Sequence, residues 1–310
     1  MIQKHAITGA FGFSGKYIAQ RLLNSGQNVV TLTNSPNRSN SFEGKIEVRS
    51  LDFIDTEQLT ESLKDVDILY NTYWVRFNHK LFNHADAVEN TLSMFNAAKK
   101  AGVSKVVHVS ITNPNESSSL EYFKGKGILE NALKKSGINY SIVRPAVLFG
   151  DEDILINNIA WTLRTFPVFG MFGDGSKYHI CPIHVDDLAC IMVEEGTRRE
   201  SRIINALGPE DFKYKDLVQM IGESIGFKRK VIKVPPMFGY MMSRLIGLFV
   251  GDIFISREEI KGLMSDLLHV EGAIPTGSTV LSKWVKENAS TLGIRYASEL
   301  ARRRDRGSSY

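Results

Sequence analysis

Residues 8–15 read Thr8-Gly9-Ala10-Phe11-Gly12-Phe13-Ser14-Gly15, a glycine-rich turn between an apolar start at residues 2–8 and an amphipathic run that stops at Gly26. Glycine has no Cβ, so this turn can bend tightly, bring backbone close to a pyrophosphate and let the new helix pack hard against the strand. The start of that helix adds unpaired N–H donors and the positive end of its dipole. Strand, turn and helix in this order predict a dinucleotide-binding βα unit.

The next apolar run, residues 28–33, reads as the second strand, and Thr33-Asn34-Ser35-Pro36-Asn37-Arg38-Ser39 follows it. An acid here would accept from an adenosine 2′-hydroxyl and repel a 2′-phosphate. None occurs. Hydroxyls, amides and the Arg38 guanidinium suit a phosphate instead, so NADP(H) is the expected cofactor and NAD(H) the alternative. The plainer reading of Arg38 is a solvated loop residue.

The chain has 310 residues, 43% of them apolar, enough for one large α/β domain and a smaller appended part. The formal charge of +4 is spread along the chain, which argues against a nucleic-acid surface. Only Arg302-Arg303-Arg304-Asp305-Arg306 is dense, and it reads as a frayed tail. Cys181 and Cys190 sit among apolar residues with no metal-site spacing, which suits reduced, buried thiols and no metal. The sequence opens directly on a strand, so a cytoplasmic protein is expected.

Strand-like and helix-like segments alternate through the first half. Strands are predicted at residues 46–51, 66–71, 103–110 and 139–144, and helices at 56–63, 82–101 and 121–135. This is the pattern of a doubly wound parallel sheet, an α/β Rossmann architecture, over residues 1–150. Residues 151–310 read as a smaller, mainly helical substrate lobe, with helices near 157–166, 185–195 and 214–225, strands near 202–206 and 230–234, and a terminal helix folding back from 282 to 300.

Tyr122 and Lys126 lie four residues apart in Tyr122-Phe123-Lys124-Gly125-Lys126, hence on one helix face. An ammonium beside a phenol favours the phenolate and draws its pKa down, so the tyrosine can exchange a proton with an alcohol or carbonyl. Lysine in that place can also reach the ribose hydroxyls of a nicotinamide cofactor. The plainer reading is a surface Tyr/Lys pair.

A glycine-rich βα turn, a strand ending near Ser110 and Thr112, and Tyr-x-x-x-Lys on the next helix follow in that order. With Asn90-Thr91, Arg144-Pro145-Ala146-Val147-Leu148-Phe149-Gly150, Phe172-Gly173-Asp174-Gly175 and Pro182-Ile183-His184-Val185-Asp186-Asp187-Leu188, the sequence resembles the extended branch of the short-chain dehydrogenase/reductase superfamily. It looks most like the atypical NAD(P)-binding group that includes the nucleotide-binding accessory subunit of respiratory complex I. The resemblance implies Gly9, Phe11, Gly12, Phe13 and Gly15 along the pyrophosphate, Asn34 and Arg38 near the adenosine phosphate, and Asp52 with Phe53 at the adenine edge. It implies Asn71, Thr72 and Tyr73 beside the ribose, and Pro145 and Val147 flanking the nicotinamide. Tyr122 would carry the proton, Lys126 would tune it, and Ser110 or Thr112 would hold the substrate oxygen. Eleven residues separate Ser110 from Tyr122, fewer than the extended enzymes usually carry, which bears on the full catalytic tetrad.

Three functions follow as expectations. The first is an NADP(H)-dependent oxidoreductase acting on a carbonyl or alcohol. The second is a non-catalytic NAD(P)-binding structural or sensing protein. The third is a nucleotide-sugar epimerase or dehydratase. A small-molecule substrate is expected. Tyr73, Trp74, Arg76 and Phe77 are candidates for its wall, with Trp161, Phe166, Phe169 and Phe172 capping from the second lobe. Residues 237–250 carry a wide, methionine-rich apolar face, too short to cross a bilayer, that reads as core or lid, or as a surface for a membrane or protein partner.

Overall fold

Strand β1 (Lys4–Thr8), helix α1 (Phe13–Asn24) and strand β2 (Asn28–Thr33) open a computed structural model that describes residues 2–305. The chain continues through β3 (Glu47–Ser50), α2 (Thr56–Ser62), β4 (Ile68–Asn71), α3 (His84–Ala101), β5 (Lys105–Val109), α4 (Glu121–Lys135) and β6 (Asn139–Pro145). These six strands run β3-β2-β1-β4-β5-β6 across one sheet, and a seventh, Arg202–Ala206, closes the far edge. All pairs from β3 to β6 are parallel.

The order reverses at β1, between β2 and β4, the topological switch point at which open α/β sheets bind ligands. The glycine-rich turn leaves the carboxyl end of β1 there. Both sheet faces are covered, so the central strands are buried runs rather than alternating ones, as Ala6, Ile7, Val30, Leu32, Ile68 and Leu69 show. Helix α1 turns Gly15, Ile18, Ala19 and Leu22 inward. Asp55 caps α2 and Asn83 caps α3, and α3 ends on Gly102 in the left-handed conformation.

The chain divides into two compact units, the first taking residues 2–144 and 188–205 and the second 145–187 and 206–305. The later elements are β7 (Val147–Phe149), α5 (Leu155–Thr165), β8 (Val168–Phe172), β9 (His179–Ile180), β10 (Pro182–His184), α6 (Val185–Thr197) and β11 (Arg202–Ala206). They are followed by β12 (Phe212–Lys213), α7 (Tyr214–Ser224), β13 (Lys230–Val234), α8 (Pro236–Val250), α9 (Arg257–Met264), α10 (Leu281–Glu287) and α11 (Glu299–Arg304). The second unit has its own core, around Phe149, Ile159, Leu163, Tyr178, Leu217 and Ile221, and small two-stranded sheets β7/β10, β9/β12 and β8/β13.

Several expectations change. The terminal helix predicted over 282–300 is two helices, α10 and α11, parted at Gly293, whose φ is +72° and where a Cβ would lie 2.4 Å from the Trp161 nitrogen. Arg302 to Arg304, read as a frayed tail, form the last turn of α11, where Arg303 pairs with Glu299; Arg306 lies outside the described residues. Trp161, Phe169 and Phe172 are buried in the core of their own unit rather than presented as a cap, and Trp161 packs on Phe166, Phe254 and Tyr296. Both cysteines are free, but only Cys181 is buried; Cys190 is half-buried. Among the described residues no helix is long and apolar enough to cross a membrane.

Candidate cofactor site

Gly9 takes φ +73° with open space where a Cβ would point, and its N–H donates to the Leu32 carbonyl at 3.0 Å. Gly12 caps α1 with no side chain, and its N–H donates to the Gly9 oxygen at 2.8 Å. A Cβ on Gly15 would fall 2.2 Å from that same Gly9 oxygen, so the helix can meet the turn only with glycine there. The glycines therefore form a bare backbone cradle at a helix N-terminus, the shape and polarity a pyrophosphate needs. Phe11 is buried beside Phe42, ring centres 6.2 Å apart, while Phe13 stays half-buried against Tyr17.

A network closes the strand ends around this turn. Thr8 Oγ1 accepts from Thr72 N at 2.8 Å and Tyr73 N at 3.1 Å, and Thr72 Oγ1 donates to the Thr8 carbonyl at 2.7 Å. Asn71 is fully buried; its Oδ1 accepts from Tyr73 N at 3.0 Å and its Nδ2 donates to His108 Nδ1 at 3.0 Å. Asn71 and Thr72 thus order the loop, and the side chain beyond them is Tyr73, whose ring lies 4.7 Å from Phe53 and whose hydroxyl accepts from Asn90 at 2.9 Å. Asp52 accepts from Ile54 N and Asp55 N at 2.9 and 3.2 Å, which sets the turn that presents Phe53. After β2, Asn34 is exposed and Arg38 half-buried, in a loop fixed by Thr33 Oγ1 accepting from Ser35 N and by Arg38 N donating to Ser35 O.

Helix α4 carries Tyr122, Lys126, Glu130 and Lys134 at four-residue spacing. Lys126 is buried. Its Nζ donates to the Val109 carbonyl at 2.7 Å and lies 4.3 Å from the centre of the Trp74 ring, a cation–π contact. Burial pushes its pKa down to about 7, against the pull of Glu130 in the other direction. Trp74 in turn packs edge-on to Tyr122 at 5.6 Å and stacks on His84 at 5.8 Å. Tyr122 stays half-buried at this aromatic corner.

Ser110 donates to Glu130 Oε1 at 2.7 Å, and Arg144 holds both oxygens of that buried carboxylate. Thr112 is fully buried near the same strand end. The structure therefore groups Tyr122 with Trp74 and Lys126, and Ser110 with Glu130 and Arg144. Pro145 ends β6, and Val147 begins β7, where it pairs with Pro182. Glu130, His84 and Gly125 escaped the sequence reading. Glycine inside a helix costs roughly 1 kcal/mol against alanine, and that was the available signal: a Cβ on Gly125 would lie 2.8 Å from Trp74 Cη2, and one on Gly127 2.5 Å from Glu116 N.

Residues 9–160 match the NAD(P)H-binding family. By fold, the chain is a Rossmann-type NAD(P)-binding protein. Within that class it is similar to the NADH-ubiquinone oxidoreductase 40 kDa subunit of Neurospora crassa, 27% identical over 239 residues, covering 74% of this chain and 62% of the relative. It is also similar to the NADH dehydrogenase [ubiquinone] 1 alpha subcomplex subunit 9 of Dictyostelium discoideum, 26% identical over 69% of this chain and 62% of the relative. The chain thus spans about three fifths of the length of these relatives. Among solved structures, the NADPH-dependent quinone oxidoreductase of Escherichia coli complexed with NADPH superposes with a TM-score of 0.73 at 19% identity, over 91% of this chain and 99% of that one. The Citrobacter triphenylmethane reductase complexed with NADP(H) gives 0.70 at 17%, over 92% and 99%.

Proposed function

We propose that the chain binds NADP(H) and keeps it as a structural or sensing cofactor. The glycine cradle takes the pyrophosphate, Asn34 and Arg38 take the adenosine 2′-phosphate, Phe53 with Asp52 meets the adenine, and Tyr73 flanks the ribose. Bound NADPH supplies a hydride donor; the chain's own residues decide whether that hydride is used. The observation that carries the non-catalytic reading is the placement of Lys126, whose ammonium donates to the Val109 carbonyl under the Trp74 ring. Ser110 is likewise committed to Glu130. The relatives named as subunits of a respiratory oxidoreductase accord with a component that holds a nucleotide inside a larger assembly.

The test is to load the protein with NADPH and follow nicotinamide absorbance against a panel of aldehydes, ketones and quinones. Retention of the nucleotide without consumption supports the reading. Consumption that disappears in Tyr122→Phe would instead make the chain an oxidoreductase, with Tyr122 as proton donor, Lys126 as its partner and Ser110 or Thr112 on the substrate oxygen. Binding and turnover of a nucleotide sugar would make it an epimerase or dehydratase.

We propose a membrane surface as the partner of α8. This helix buries Gly239, Ser243 and Gly247 and exposes Met237, Phe238, Met241, Met242 and Leu245, with Leu248 at 78% and Phe249 at 85% exposure. Small residues face in and large apolar ones face out, with exposed Arg244 on the same helix and exposed Arg257 against its Tyr240 ring, which suits the interfacial zone of an anionic bilayer. Co-flotation with vesicles containing phosphatidylglycerol, lost in Leu248→Glu/Phe249→Glu, is the expected result. No flotation would assign the face to a protein partner. The free thiols of Cys181 and Cys190 fit a reducing compartment such as the cytoplasm.

A further inference from the structure

The second unit brings together three metal-ligating side chains that lie far apart in sequence. His179 opens β9, Asp211 stands immediately before β12, and His269 lies in the irregular stretch after α9. Each offers one nitrogen or oxygen, and these three atoms all lie within 4.8 Å of one another. The two imidazole centres are 5.0 Å apart, and His269 Nδ1 is 3.3 Å from Asp211 Oδ2.

The convergence is set by backbone. β9 and β12 pair antiparallel, with Lys213 opposite His179 and Phe212 opposite Ile180, a register that continues to Asp211 opposite Cys181, two residues from His179 and on the same face of the ladder. The stretch holding His269 is tied to the same strand twice. Cys181 N donates to Leu268 O at 3.3 Å, and His179 N donates to Asp266 Oδ1 at 2.6 Å. The same Asp266 oxygen lies 3.9 Å from His179 Nδ1, where it can steer that ring.

We propose that His179, Asp211 and His269 bind a divalent transition metal, zinc above others. Two imidazole nitrogens and one carboxylate oxygen suit zinc and its neighbours, whereas magnesium and calcium take oxygen donors. Ligand bonds of ~2.0–2.2 Å in a tetrahedron set neighbouring donors roughly 3.3–3.5 Å apart. The 3.3 Å His269–Asp211 separation already meets that, and the remaining atoms need about an ångström of side-chain movement. His179 is 30% and Asp211 41% exposed at the side chain, so the fourth position opens to water. Asp266 is the positioning residue for His179. The metal clamps the irregular stretch after α9 to the β9/β12 pair. Sequence spacing could not show the site, because its ligands are joined by strand pairing rather than by a short motif.

The experiment uses the full chain, free of any histidine tag and stripped with a chelator, titrated with cobalt(II) and then with zinc. The proposal expects one equivalent of cobalt with the visible absorption of a four-coordinate N/O site, displaced by zinc, and a rise in Tm on zinc addition. His179→Gln and His269→Gln should each lose the spectrum and the Tm rise, and Asp266→Asn should weaken zinc by about 10- to 100-fold. Metal-free wild type serves as the folding reference, with far-UV circular dichroism confirming that each variant is folded. The absence of one-equivalent binding, or binding that survives both histidine variants unchanged, overturns the site.

Discussion

The Lys126 ammonium sits 4.3 Å from the centre of the Trp74 ring and donates to the Val109 carbonyl at 2.7 Å. A lysine expected to face a cofactor is thus roofed by an indole, and that arrangement sets both its pKa and its availability. Tyr122 packs against the same indole, ring centres 5.6 Å apart and planes nearly perpendicular. The state of Trp74 therefore governs whether the tyrosine and lysine can act together.

Burial lowers Lys126 from 10.5 to about 7. Between those values the unfolded chain holds a proton that the folded chain has released, so stability rises with pH across that window. Lys126→Met should remove this slope, up to ~1.4 kcal/mol per pH unit. Its advantage over wild type in thermal melts should be largest at pH 7 and below and should shrink toward pH 10. Parallel pH profiles for the two proteins would refute a buried lysine whose pKa is lowered.

Gly125→Ala should gain helix propensity and lose more by driving a methyl to within 2.9 Å of Val88 and Trp74. A net loss of ~1–2 kcal/mol is expected from overpacking. Trp74 would move off Lys126, and tryptophan emission should shift to the red. A stabilised variant with unchanged emission would contradict the close packing of helix and indole.

Glu130 holds Ser110 and Arg144 while buried to 2% exposure. Glu130→Gln removes the charge that Arg144 neutralises, and a loss of about 3 kcal/mol is expected in denaturant unfolding. A change below ~0.5 kcal/mol would place this pair with ordinary surface ion pairs.

In the second unit, Asp153 accepts from Ile156 N at 2.7 Å, and burial raises its carboxyl to about 7. Here the folded chain binds the extra proton, so stability falls as pH rises from about 4 to about 7. Asp153→Asn keeps an acceptor for the helix start and removes that loss. Its Tm should exceed wild type at pH 8 and converge with it near pH 4, and convergence at the high end instead would reverse the assignment.

Much of the first unit was legible because its strands are buried runs and its helices carry strong periodicity. Residues 28–33, 121–135 and 202–206, and in the second unit 230–234, are elements with the ends the sequence predicted. The short pairings β7/β10 and β9/β12 were not, since strands of two or three residues show no alternation. At the site, the glycine cradle is local and could be read, whereas the roof over Lys126 depends on Trp74 arriving from beyond β4 onto Gly125. Glu130 carries no local signal in the sequence, and only Ser110 on the β5 end and Arg144 on β6 make it a buried, paired charge.

The most direct measurement is a titration of the purified protein with NADPH and with NADH, wild type beside Arg38→Ala, read by nicotinamide fluorescence. Saturable NADPH binding at least ~10-fold tighter than NADH, about 1.4 kcal/mol, with the gap closing in Arg38→Ala, is the predicted result. NADH binding the tighter of the two, or neither nucleotide binding, would contradict it.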